Sequence, residues 1–293
     1  MRNTSKAYYF LSSAARQIRP SEFRCTNCGS KRFATVDRKY LITSLRRCES
    51  CRLMYRVPTD DVSANLQFYQ SAYRQGFTTE LPSNKVLEQL LATKFEGTEK
   101  CYRYYISILR QLGLVGNARI FDYGCSWGYG SWQLSQAGYR VVACEISKPR
   151  ATFAQEKLGV ECTFEISEST FQGDSEHSFD CFFSAHVLEH VPSPTRIVEL
   201  AKLALRPGGL FVALTPNGSE AFRKVDPHGW HLSWGQSHPC LLDDKFYRHS
   251  FSACDLYFDT SPANLEALTR FARGDKVVAP ELSGSELLCV SRL

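Results

Sequence analysis

From Asn117 to the end of the chain, short apolar runs alternate with longer stretches whose apolar residues recur at helical spacing. The runs predict strands at Ile120–Phe121, Val141–Cys144, Cys162–Ile166, Phe179–Ser184, Leu210–Thr215, Asp255–Asp259 and Glu286–Ser291. Between them, Ser147 is placed to cap a helix reaching Leu158, with Pro149 in its first turn where a missing amide is harmless. Ser193-Pro194 opens another, which ends before a turn at Arg206-Pro207-Gly208-Gly209. Such alternation predicts an α/β fold built on a doubly wound, largely parallel sheet. Upstream, Leu66–Tyr73 and Val86–Phe95 have helical spacing, and Lys100–Leu114 is a clearer amphipathic helix. Further upstream, Phe33, Tyr40, Leu41, Ile42 and Leu45 are strand-like, and Pro58-Thr59-Asp60-Asp61 reads as a linker. The pattern divides the chain into an N-terminal module (1–58), a linker with helical cap (59–116) and an α/β domain (117–293).

The α/β domain opens on a strand, a glycine-rich turn and a helix: Asp122-Tyr-Gly124-Cys125-Ser126-Trp-Gly128-Tyr-Gly130. Glycines at such a turn let a ligand approach the backbone, and the amides at the helix start suit an anionic group. Glu145 ends the next strand, where a carboxylate can take both hydroxyls of a ribose. The spacing is not the G-x-G-x-x-G of dinucleotide sites. It resembles the class I S-adenosylmethionine-dependent methyltransferases, and the resemblance extends from about Asn117 to Leu293. It implies a Rossmann-like seven-stranded sheet whose last strand is inserted antiparallel beside the fifth. It also implies cofactor contacts from Asp122, Gly124, Cys125, Ser126, Gly128, Gly130, Glu145 and Ile146, and from Ala185 and His186 at the end of strand four. His186-Val-Leu-Glu189-His190-Val and the Arg206–Gly209 turn are similar to family members acting on small molecules. Where the family has an adenine-contacting Asp after strand three, this chain reads Phe164-Glu165-Ile166-Ser167-Glu168, leaving Ser167 or Glu165 to substitute. A tyrosine near the cofactor often comes from the segment before the first strand, which makes Tyr69 and Tyr73 candidates beside Gln75-Gly76, Thr78 and Thr79.

Charge separates the N-terminal module from the rest. Residues 1–56 hold 13 basic and 3 acidic side chains, against 22 and 27 in the remainder. A basic module can meet nucleic acid, a phosphorylated substrate or an acidic protein surface. Within it, Cys25-x-x-Cys28 and Cys48-x-x-Cys51 have the spacing of a four-thiolate zinc site. With all four positions filled by sulfur, one zinc ion would be structural, closing a ribbon too small for a core of its own. The other eight of the 12 cysteines are scattered singly, which favours reduced thiols over a disulfide scaffold. No run is apolar enough for a membrane span or a secretory signal, so the sequence predicts a soluble, cytoplasmic protein.

Methyl transfer to a hydroxyl requires a base, and His186, His190, His228, His231 and His238 are the candidates. The segment after strand five, Pro216–His249, should set specificity, because ligands bind outside the carboxyl ends of such strands. Its Trp230 and Trp234 would offer flat faces and Asn217, His231, Gln236 and His238 polar groups, a mixture suited to a sugar. In architecture the chain is similar to bacterial methyltransferases with a small four-cysteine module, some of which act on nucleotide-linked sugars. Those that methylate carbon carry a further C-terminal domain, so this chain's length argues for O-methylation, or N-methylation, of a small-molecule or glycan acceptor. An RNA methyltransferase gripping phosphates with the zinc module, and a non-catalytic scaffold, are the alternatives. Oligomeric state is left open by the sequence.

Overall fold

The computed structural model describes residues 24–40, 42–59, 80–173 and 176–293. Three antiparallel strands come first: β1 (Phe33–Lys39), β2 (Thr43–Cys48) and β3 (Met54–Val57). Tyr40 and Ile42 lie in the turn between β1 and β2 and not in a strand, as their apolar character suggests; Tyr40 has a left-handed φ of 55° and points largely into solvent. Two helices follow, α1 (Asn84–Ala92), capped by the Ser83 hydroxyl, and α2 (Arg103–Gln111). Both are shorter than the apolar periodicity suggests. Leu66–Tyr73 and the candidates at Tyr69, Tyr73, Gln75, Gly76, Thr78 and Thr79 lie outside the described residues.

The remainder alternates as expected. It comprises β4 (Arg119–Tyr123), α3 (Tyr129–Gln136), β5 (Arg140–Cys144), α4 (Lys148–Leu158), β6 (Glu161–Thr163), β7 (Phe179–Ala185), α5 (Pro194–Ala204) and β8 (Leu205–Pro216). Then come α6 (Glu220–Val225), α7 (Pro227–Leu232), β9 (Cys240–Leu241), α8 (Asp244–Ser250), β10 (Asp255–Thr260), α9 (Leu265–Ala272) and β11 (Glu286–Arg292). Seven strands form one sheet in the order β10-β11-β8-β7-β4-β5-β6, with β11 antiparallel to both neighbours. Arg206–Gly209 is not a free turn before β8 but part of it. Phe179 pairs with Leu205 and Cys181 with Leu210, so the extra residues bulge out, and Gly208 takes the φ of 75° that the bulge requires. β6 stops at Thr163, short of Ile166, because the chain turns into a 3-10 turn at Glu168–Phe171.

Side chains alternate across the sheet and build a core on each face. Phe121, Phe182 and Phe211 pack on one side with Phe171, Phe179 and Tyr247. Ile120, Phe183, Val212 and Leu214 pack on the other beneath Ile108, Leu109, Leu268 and Phe271 of α2 and α9. Both faces are covered, so the ends of the strands are left as the place for a ligand.

The N-terminal strands are tied to the α/β part. β9 adds a fourth strand to their sheet through Met54 and Tyr55, and the Arg56 amide donates to Pro239 O at 2.7 Å. Trp230 and Trp234, read from the sequence as exposed platforms, are instead 1% and 2% exposed, packed with Leu45, Met54, Phe222 and Leu241. The Asp37 carboxylate accepts the Trp234 indole N–H at 2.9 Å and meets His231 Nδ1 at 2.6 Å. Arg47 pairs with the buried Asp243 carboxylate at 2.7 Å. Truncation of such a buried indole costs about 3–5 kcal/mol. Trp230→Ala should therefore lower the urea midpoint accordingly and expose the first strands to limited proteolysis; an unchanged midpoint would contradict this interface.

Candidate functional site

The glycine turn joins β4 to α3, and its position is set by β5. The amides of Gly124 and Cys125 donate to Cys144 O at 2.8 and 3.0 Å. The Ser126 amide donates to Glu145 Oε2 at 3.0 Å, and Ser147 N–H reaches Glu145 Oε1 at 2.8 Å. That amide bond, rather than a side-chain cap, is what Ser147 contributes at the start of α4. Gly128 sits at the N-cap of α3 with φ 87°, and a Cβ there would lie 2.7 Å from Ala154 Cβ on α4. A Cβ at Gly130 would fall 2.2 Å from the Tyr102 ring, so this glycine admits an aromatic side chain from just before α2. Both glycines thus serve packing behind the loop. At its crest Ser126 adopts φ 53°, rare for a residue with a Cβ, and its Oγ is buried without a hydrogen-bond partner.

Two carboxylates lie under this loop. Burial pushes Asp122 up to about 6, despite the hydrogen bond it accepts from Ser131 Oγ at 2.5 Å, with the Glu145 charge adding to the rise. Glu145 is also raised by burial, against the opposing amides of Ser147 and Ser126 and the Arg150 cation. A carboxylate has about four acceptor positions. The two amides leave Glu145 with the rest. Ile146, the next residue, keeps 41% of its surface exposed beside it. Past β6, Ser167 caps the 3-10 turn and its hydroxyl meets Ser169 Oγ at 2.7 Å, while Glu165 stands exposed.

The end of β7 faces the loop. Val187 fills the space over Gly124, where a Cβ would lie 2.3 Å from its Cγ2. Ala185 ends the strand and His186 follows with φ 56°. His186 Nε2 meets Glu286 Oε1 at 2.5 Å, and its Nδ1 is 3.7 Å from Glu189 Oε1. Burial lowers the imidazole, but the hydrogen bonds and charges of Glu189 and Glu286 outweigh it and raise it to about 10. The ring is 44% exposed, so solvent moderates that rise. On the 3-10 turn Leu188–His190, His190 Nδ1 meets Ser237 O at 2.6 Å. His238 Nδ1 meets Ser233 O at 3.0 Å, and the His190 and His238 rings lie 4.8 Å apart at 70°. His186, Glu189, His190 and His238 are thereby brought together; His231 is not, being held on the far side of the inserted segment by Asp37.

In the N-terminal module, the sulfurs of Cys25, Cys28, Cys48 and Cys51 all lie within 4.8 Å of one another. Cys25 and Cys51 are 3.6 Å apart, Cys28 and Cys48 3.5 Å. Zinc–sulfur bonds of about 2.3 Å in a tetrahedron set sulfurs roughly 3.8 Å apart, so the cluster has the dimensions of a zinc site. Sequence reasoning did not find Tyr102, Val187, Glu286 or the buried Glu189. Tyr102 and Glu286 reach the site from outside the β4–β7 stretch, and Val187 and Glu189 stand inside the His186–Val191 stretch with no spacing signal of their own.

A family model described as a methyltransferase domain matches residues 121–213. A ubiquinone biosynthesis O-methyltransferase of Xanthomonas oryzae pv. oryzae is 30% identical over 137 residues, covering 41% of this chain and 56% of that protein. The protein of the same name from Hydrogenovibrio crunogenus is 29% identical over 120 residues, covering 40% and 50%. This chain therefore spans about half the length of the curated relatives it matches. Among solved structures, the plantazolicin methyltransferase BpumL in complex with SAH is 15% identical, with a TM-score of 0.48 over 78% of this chain and 93% of that one. The matched residues run from β4 into β8, and together with the glycine loop on β4 and the antiparallel β11 inserted beside β8 they support a methyltransferase domain of the class I, S-adenosylmethionine-dependent kind.

Proposed function

We propose that the chain moves a methyl group from S-adenosylmethionine to an oxygen of a small-molecule or sugar acceptor. One observation carries this: the glycine loop, the Glu145 carboxylate and the Glu189–His190–His238 group converge at the carboxyl ends of β4, β5 and β7. The residues present fit the cofactor. Ser126 Oγ is a buried polar atom without a partner, and Glu145 keeps acceptor positions for two ribose hydroxyls. Ile146 offers an apolar face to the adenine, and the Ala185–His186 backbone flanks the methionyl end. Asp122 stands behind the loop and fixes Ser131 rather than meeting the ligand.

S-adenosylmethionine supplies an electrophilic methyl on a cationic sulfonium. The protein has to hold the acceptor oxygen in line and take its proton. His190 and His238 each place Nδ1 against a backbone carbonyl, so that nitrogen carries the hydrogen and Nε2 keeps its lone pair. These two imidazoles are therefore the proton acceptors. His186, gripped by Glu286 and Glu189, holds a proton and serves as a fixed positive group, and His231 braces the N-terminal strands.

The N-terminal cysteines hold one structural zinc. None of the twelve cysteines is in a disulfide, and the eight outside the cluster support a reducing, cytoplasmic setting. Among the described residues no helix is long and apolar enough to cross a membrane. Part of the module's positive charge is spent internally, since Arg47 pairs with Asp243 and Arg56 is buried against the α/β part. That disfavours a phosphate-gripping face and supports the small acceptor over RNA, as do relatives named O-methyltransferases.

Hydrogen bonds to a charged group contribute about 1.5–3 kcal/mol. Glu145→Ala should thus weaken calorimetric binding of S-adenosylmethionine and S-adenosylhomocysteine by about 10- to 100-fold; unchanged affinity would remove Glu145 from the site. Cys25→Ser should lose one equivalent of zinc by elemental analysis and melt at lower temperature, and full retention of metal would exclude Cys25 as a ligand. Asp122 provides a third test. Its folded pKa lies above its unfolded value, so the native state is favoured at low pH and loses that advantage as pH rises from about 4 to about 6. Asp122→Asn should melt above wild type at pH 8, with the two curves converging near pH 4. A constant gap across that window would show that Asp122 is not perturbed.

A further inference from the structure

We propose that the amino end of the sheet carries an anion site for a diphosphate-bearing small molecule, remote from the glycine loop. A cavity of about 490 Å³ opens there, between the carboxyl ends of α2 and α9, the start of β7 and the bulge of β8. Arg110, Arg206, Arg273 and Arg292 line it, against a single acid, Asp180. Asp275, just past α9, is drawn to Arg270 at 3.7 Å. Residues 57–293 hold 22 basic and 27 acidic side chains, so four arginines around one opening reverse the charge balance of this part of the chain.

Local structure accounts for only part of that charge. Cations suit the carboxyl ends of helices, and Arg292 Nη2 donates to Phe271 O and Ala272 O at 3.1 and 2.9 Å, with its guanidinium over the Phe271 ring. Arg206 Nε donates to Asp180 Oδ1 at 2.5 Å, and the Arg119 amide donates to Asp180 Oδ2 at 2.7 Å. Both oxygens of the one acid are therefore engaged, and they answer one guanidinium of the four. Arg110 stands beside the Tyr139 hydroxyl, where its charge opposes the rise that burial gives the phenol. The Arg273 side chain is exposed and meets no carboxylate among the described residues. A guanidinium has five N–H donors, so most donors around the cavity remain for a ligand. Like charges gathered about one opening repel, and an anion between them removes that cost.

The donor set selects the ligand. Guanidinium forks match phosphate oxygens two at a time. Four of them, carried by α2, β8, β11 and the end of α9, surround more space than one phosphate fills, which favours two in a row. The volume is in the range of small-molecule sites, about 300–1,000 Å³, and encloses a compact ligand rather than a nucleic-acid strand. That ligand is not the methyl acceptor. β4, β7 and β8 run parallel, with the glycine loop at the carboxyl end of β4 and the cavity at the amino ends. The site is thus one for an effector, and it does not depend on the proposed methyl transfer.

Calorimetric titration of the full chain with sodium pyrophosphate tests this, because the probe has no adenosine to enter the Ser126–Glu145 loop. One equivalent should bind. Arg110→Gln and Arg273→Gln should each weaken that binding at least about tenfold, while Lys31→Gln, on the basic N-terminal module, leaves it unchanged. Both arginines are exposed; circular dichroism checks that each variant is folded, and the two cover each other if one is not. A wild-type protein that binds no pyrophosphate overturns the proposal. So does binding that both arginine variants retain in full, or equal affinity for orthophosphate. Displacement of pyrophosphate by a single-stranded RNA that binds more tightly would also overturn it, in favour of a nucleic-acid face. S-adenosylmethionine takes no part in the readout, so failure here leaves the Glu145 binding test standing on its own.

Discussion

The buried Glu145 carboxylate organises the catalytic end of the molecule. By accepting the Ser126 amide it holds the crest of the glycine loop, and by accepting the Ser147 amide it fixes the start of α4. Both bonds are charge-assisted inside a buried setting, where they are stronger than between neutral partners. The Gly124 and Cys125 amides bind the same strand one residue earlier, so loop and β5 move as a unit. Packing then completes what hydrogen bonding starts, with Val187 over Gly124, Ala154 behind Gly128 and Tyr102 against Gly130. The loop is consequently formed before any ligand arrives, which lowers the ordering cost of binding.

Features whose chemistry is local were legible in the sequence. The Asp122–Gly130 turn, Glu145 at the next strand end and the two cysteine pairs each lie within a few residues or one βαβ step of their partners. The α/β class followed from alternation, and the antiparallel last strand from family resemblance. Long-range partners were not legible. Trp230 and Trp234 look like a binding platform until Leu45 and Met54 of the first strands are seen to cover them. His186 looks like a base until Glu286, 100 residues away in sequence, is found against it. The turn at Arg206–Gly209 was misread because proline and glycine normally mark a chain reversal, whereas here they bulge within a strand that pairs on both sides of them.

The N-terminal module is more than an appendage, because its strands support the segment that carries His238. β3 pairs with β9 at Met54–Leu241 and Tyr55–Cys240, and the Arg56 amide holds Pro239 O, the residue directly after His238. Asp37 anchors His231 and Trp234 just ahead of it. A segment from Pro216 to His249 that includes only short helices and a two-residue strand has little order of its own, since helices of six residues are marginal without packing. Its geometry is therefore borrowed from the ribbon. The four cysteines close the turns that set β1, β2 and β3, and those strands in turn set where His238 stands relative to His190 and Glu189. On this account the cysteine cluster influences the placement of His238 without touching it, through the β1-β2-β3-β9 sheet and the Arg56–Pro239 hydrogen bond.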